Sequence, residues 1–220
     1  VDILKYAPKY MGKIGYIIEY DDQKPEMKES YSDWHEAYAD FIEFQAWKDA
    51  EEFATNHGRT VDEEEINWTK AHNSYDLIYV DGDDVPELFI STNSTAGGCV
   101  VATYYDGKCI WDYIADETTN YIPYGGYLYT NDGKGFFDIK KLDKGKFDIV
   151  MSGEFHRYCP DENSDKEVRK YWVNNASNSI TEKEFEEKIK QFINIEEAIY
   201  PKRMSNYQEI TSVLSSVKSK

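Results

Sequence analysis

Between residues 76 and 155 the chain repeats one device, a short run of alternating apolar and polar residues that ends in a tight polar reversal. The runs are DLIYV, ELFIST, CVVATYY, KCIWDYI, GGYLYT, GFFDIKKL and KFDIVMSGEF, and the reversals include YYDGKCIW, TNDGKGFF and LDKGKFDI. A period of two sends alternate side chains to opposite faces of a strand. An Asp-Gly pair between aromatic and β-branched residues favours a two-residue hairpin, because both central positions take positive φ. Strands joined this way are antiparallel neighbours, so this region is predicted to be a β-meander. The reversals do not make the array of four-strand blades, about 40 residues each, that a propeller needs.

On either side the period changes to 3.6. DWHEAYADFIEFQAWKDAEEFA sets Trp34, Tyr38, Phe41, Ile42 and Trp47 on one apolar stripe of a helix. Ser32 is its expected cap, Asp33 and Glu36 favour its first turn, and Gly58 after His57 is its expected stop. TVDEEEINWTKAH is acidic and compatible with a short helix. After the meander, VRKYWV reads as a last strand. SITEKEFEEKIKQFI opens on Thr181 with Glu184 three residues on, a capping box, and turns Phe185, Ile189 and Phe192 to one side. SNYQEITSVLSSV reads as a final short helix. The expected class is α+β: an antiparallel β-meander sheet with an N-terminal amphipathic helix and C-terminal helices packed on it. The division follows as residues 1–30, an N-terminal extension or docking segment; 31–200, a single α+β domain; and 201–220, a C-terminal helix and tail.

Lys and Arg number 25 against 42 Asp and Glu, a formal net charge of -17. Nucleic-acid binding needs a basic footprint, so nucleic acid is not an expected partner. No apolar run reaches the roughly 18 residues of a membrane span. The three cysteines, Cys99, Cys109 and Cys159, lack Cys-x-x-Cys spacing, which argues against a zinc site. A two-residue turn at Asp106-Gly107 places Cys109 opposite Tyr104 and Cys99 opposite Ile114, too far apart to pair. A chain beginning at Val1 rather than Met reads as processed or truncated, with any signal peptide already removed.

YDLIYVDGDDVPELFIST, residues 75–92, sets Asp81, Asp83, Asp84 and Glu87 between two strand-like runs. Read structurally, Gly82 lets the chain reverse, Asp side chains cap the turn's own amides, and Pro86 fixes φ as the next strand begins. Together with DWHEAYADFI, YYDGKCI, YGGYLYTNDG and ITEKEFEEKI, this stretch resembles a family of secreted lipoproteins and surface proteins from anaerobic gut Firmicutes. The likeness spans roughly residues 31–193. It implies an exported protein, secreted or lipid-anchored at the cell envelope through a Cys upstream of Val1, with no agreed biochemical activity.

The same stretch resembles the calcium loops of integrin-type propeller repeats, whose oxygens come from the first, third, fifth and ninth positions. Here the third, fifth and ninth are Asp81, Asp83 and Glu87, while the first is Tyr79. Calcium takes six to eight oxygens, so the expected site is an incomplete cage of at most about millimolar affinity. No other cofactor is implied.

Catalysis has no motif to rest on: Gly-x-Ser-x-Gly, His-Glu-x-x-His and the phosphate-binding Gly-x-x-x-x-Gly-Lys pattern are absent from the sequence. A hydrolase acting on glycosides or peptides would need a carboxylate pair, or Cys99 with His72 or His156. The preferred expectation is a non-catalytic accessory or binding protein. Tyr104, Trp111, Tyr113, Tyr124 and Tyr127, with Tyr121 and Tyr129, are candidates for an aromatic face that meets carbohydrate, peptide or another surface protein. Gly125-Gly126 is a place where another segment or a ligand can approach the backbone closely.

Overall fold

Asp106 and Gly107 both take positive φ, 50° and 76°, the backbone that an Asp-Gly hairpin demands. They join β3 (Cys99–Tyr105) to β4 (Lys108–Ala115). The computed structural model describes residues 24–92, 98–115, 118–132, 135–158, 168–174, 176–202 and 206–216. Expectations placed on the first 23 residues, on Gly133, on Cys159 and its loop, and on the last four residues lie outside them.

Among the described residues two helices precede the strands. Helix α1 (Trp34–Asn56) is capped by Asp33 and not by Ser32: the Asp33 carboxylate accepts the Glu36 amide at 3.0 Å, while the Ser32 hydroxyl donates to the Glu36 carboxylate at 3.0 Å. Asp serves as well as Ser there and adds negative charge at the positive end of the helix. Gly58, with φ of 65°, follows the C-cap His57 as expected. Burial on α1 is wider than one stripe. Tyr38, Phe41 and Ile42 face a sheet, while Ala46, Trp47 and Ala50 face Ile66 of α2 (Glu63–His72).

The strands fall into two antiparallel sheets, each with chain neighbours side by side. The first holds β1 (Ser74–Ile78), β2 (Glu87–Ser91), β3 and β4. The second holds β5 (Thr118–Tyr121), β6 (Tyr127–Asn131), β7 (Phe136–Asp143), β8 (Lys146–Tyr158), β9 (Val168–Val173) and β10 (Ile180–Thr181). On the first sheet Leu88, Ile90, Val100 and Ala102 meet α1, joined by Ile210 and Leu214 of α4 (Tyr207–Ser215). The alternate residues Phe89, Cys99 and Val101 point the other way, onto Leu128 and Leu142 of the second sheet. The far face of that sheet carries Phe137, Ile139, Met151 and Tyr171 under Phe185 and Ile189 of α3 (Glu182–Ile189). The order is therefore helix, sheet, sheet, helix. Each fully buried Leu, Ile or Phe in these layers contributes roughly 2 kcal/mol.

One register expectation needs correction. Tyr104 does face Cys109, but Cys99 faces Ala115 and not Ile114, because the ladder slips between Cys99 and Val100. This bulge adds one residue to β4. Cys99 lies between the sheets and Cys109 lies under α1, and no disulfide joins them.

Candidate functional site

The connection from β1 to β2 is YVDGDDVP, residues 79–86. Asp81 Oδ1 accepts the Asp83 amide at 3.0 Å, and Asp83 Oδ1 accepts the Val85 amide at 2.8 Å. Two successive side-chain turns of this kind reverse the chain. Gly82 is not among the glycines at positive φ, so the carboxylates, not glycine's freedom, make the reversal.

Glu87 opens β2 on the side that faces the second sheet and is fully buried. Its Oε2 accepts the Val80 amide at 2.7 Å and its Oε1 accepts the Thr103 hydroxyl at 3.3 Å. Burial, reinforced by the nearby Asp81 and Asp83 carboxylates, pushes its carboxyl up to about 8. Burial also raises Asp81. One oxygen from each of Asp81, Asp83 and Glu87 lies within 4.8 Å of the others, so the three expected ligands do come together. They are a poor cage for calcium. Each already accepts a backbone amide, and Glu87 has no exposed surface through which a hydrated ion can arrive.

Tyr79, at the first-ligand position, turns to the β5–β6 connection. Its ring lies 5.3 Å from that of Tyr124, and its carbonyl accepts the Tyr124 amide at 2.9 Å. Gly126, with φ of 77°, locks this neighbourhood together: its amide donates to Val80 O at 2.6 Å and its carbonyl accepts the Leu142 amide at 2.8 Å. The close approach expected at Gly125-Gly126 is thus made by the acidic loop itself.

Around these contacts opens a cleft of about 350 Å³ walled by Asp81, Asp83, Tyr105, Tyr124, Asp143 and Lys144. Lys141, which also lines it, pairs with Asp143 at 3.0 Å. Tyr105, Asp143 and Lys144 were not singled out by the sequence. Their signal was the reversals YYDGKCIW and LDKGKFDI, whose tips the packed sheets bring beside the 79–86 loop.

The aromatic candidates do not share one face. Tyr104 and Trp111 lie under α1, where Trp111 packs on Phe41 at 5.1 Å and the Tyr104 hydroxyl donates to Tyr31 O at 3.1 Å. Tyr121 is buried between the sheets; Tyr127 and Tyr129 join the cluster beneath α3. Tyr113 and Tyr124 are exposed, at 51% and 59%. The scatter follows from a meander split across two sheets, since alternate residues of each then enter different layers. The Cys–His candidates also separate. Cys99 sits in the inter-sheet core, His72 stacks on Trp68 at 4.0 Å, and His156 stands edge-on to Trp172 at 5.1 Å.

No family model, curated protein or solved structure matches the chain. Chemically, the cleft offers exposed phenol rings for stacking, carboxylates that accept hydrogen bonds, and two ammonium donors.

Proposed function

We propose that the chain is a non-catalytic binding protein that works outside the cytoplasm at the cell envelope and takes a carbohydrate in the cleft beside the acidic loop. The observation that carries the binding site is the convergence of Tyr105, Tyr124, Asp81, Asp83 and Asp143 from four separate connections around one open cleft. Sugar rings present C–H faces to aromatic rings and hydroxyls to carboxylates, and this wall has both. The envelope location rests on the likeness to secreted surface proteins. Binding without turnover is supported by the thiols: Cys99 is buried, and burial pushes Cys109 up to about 12, opposite to an activated nucleophile.

A glycan array beside a peptide array tests the ligand. Glycan signals lost in both Tyr124→Ala and Asp81→Asn are expected, with peptide signals unchanged. Protease treatment of intact source cells tests the location, since an outward-facing protein is digested without lysis. Turnover of glycoside, peptide or ester substrates that one carboxylate or Cys99 substitution abolishes would overturn the non-catalytic reading in favour of a hydrolase.

The clustering of Asp81, Asp83 and Glu87 favours a second reading, a weak calcium module. At millimolar affinity, calcium at twice its Kd adds roughly 0.7 kcal/mol, about 2 °C in melting temperature for a chain of this size. Melting curves in EDTA and in 2 mM calcium, a test concentration of about millimolar order, are therefore expected nearly to coincide. A large calcium-dependent rise abolished by Asp83→Ala would make this loop a strong site.

A further inference from the structure

A second cavity, of about 320 Å³, opens between α1 and α2, away from the acidic loop. We infer that it binds an organic ammonium cation with an apolar body, using Asp49 as the counter-ion. The floor is Asp49, whose carboxylate is held by two neutral donors, Gln45 Nε2 at 2.7 Å and Asn73 Nδ2 at 3.4 Å. Among the described residues no Lys, Arg or His lies within ion-pair distance of it. Burial pushes the Asp49 carboxyl up to about 6, against the charge of Lys48, so above that pH it is an anion in a partly apolar recess with no ion-pair partner among the described residues.

The walls say which cation fits. Ala50, Phe53 and Trp68 line the cavity, and Trp68 is 51% exposed at its edge. A bare metal ion wants oxygens on every side, which these walls do not give. An ammonium group on an apolar body gains attraction from ring faces and buries its methylenes against them. The rim adds Asp62, Glu64 and Glu65 and one cation, Arg59, whose Nη2 lies 2.7 Å from Glu65 Oε1. Glu65 Oε2 is sealed from water with no hydrogen-bond donor among the described residues. The negative rim, on a chain of formal charge -17, repels anions and draws cations.

The test titrates the full chain with n-butylammonium chloride and with n-butanol, read by calorimetry and by the Trp68 indole N–H resonance. Butylammonium is expected to saturate in about the millimolar range and butanol to bind at least about tenfold more weakly. Asp49→Asn keeps the neutral hydrogen bonds within reach, and should bind amine and alcohol alike. Trp68→Ala should weaken the amine with the fold unchanged, because its ring is half exposed. Equal affinity of the native chain for amine and alcohol, amine binding without saturation, an amine preference that survives Asp49→Asn, or unchanged amine affinity in Trp68→Ala would each overturn the inference.

Discussion

Glu87 carries the sharpest consequence of any one residue, because a carboxyl pushed up to about 8 ties stability to pH. Its ordinary value is 4.5. The folded state therefore holds a proton that the unfolded chain releases between those values. Stability from this group is full below pH 4.5, declines as pH rises, and is lost above 8. The span corresponds to at most about 5 kcal/mol. Asp49, raised from 3.8 to about 6 by burial, acts in the same direction at lower pH, so only a comparison isolates Glu87. Glu87→Gln can still accept the Val80 amide. Urea unfolding from pH 5 to 9 should show this variant close to native at pH 5 and several kcal/mol more stable at pH 8.5, with a flatter profile. Parallel profiles would place the titration elsewhere. The spacing of Asp81, Asp83 and Glu87 was legible in the sequence because a turn-and-strand motif fixes it locally. The burial of Glu87 was not, since which face of β2 meets the second sheet is decided by packing.

Among the elements, those with local chemistry of their own were the readable ones. The Asp106-Gly107 hairpin set the pairing of Tyr104 with Cys109, and the Thr181 capping box started α3 where expected. LDKGKFDI also turns, though at Lys144-Gly145, with φ of 52° and 73°. β5 went unread because TTNY alternates no apolar residues; it is a strand because β6 beside it supplies the ladder. The bulge that moved Cys99 opposite Ala115 was equally silent. α3 tests how far a local signal matters once tertiary packing is in place. Thr181 Oγ1 accepts the Glu184 amide at 3.3 Å, and the Glu184 carboxylate accepts the Thr181 amide at 2.8 Å. Thr181→Ala removes the first of these and should cost about 1 kcal/mol, a fall of about 2–4 °C in melting temperature. Thr181→Ser should restore it. An unchanged melting point in the alanine variant would mean that Phe185 and Ile189, packed on the second sheet, hold α3 without its cap.

For the whole molecule the decisive event is the stacking of one sheet on the other, and it was the least legible feature. In GFFDIKKL, Phe137 and Ile139 mark one face, and Lys140 on the other looks like a solvent residue. Stacking turns that second face inward, so Lys140 is buried, its side chain 8% exposed. Its Nζ crosses to the first sheet, donating to Asp112 Oδ2 at 2.7 Å and to Tyr113 O at 2.9 Å. Breaking such a pair leaves a charge without its partner, which costs more than the pair itself contributes. Lys140→Ala leaves Asp112, its side chain 37% exposed, without its partner, removes the donor to the Tyr113 carbonyl and empties the space of the buried lysine stem, and should lose about 3 kcal/mol. The double variant Lys140→Met, Asp112→Asn keeps the volume and removes both charges. It gives up chiefly the bond to Tyr113 O and should fall short of native by only about 1 kcal/mol. Urea unfolding with an unchanged denaturant slope would show that each difference is one of stability within the same fold. A double variant as unstable as Lys140→Ala would instead make the ion pair itself, and not the avoidance of an unpaired charge, the force that holds the two sheets together.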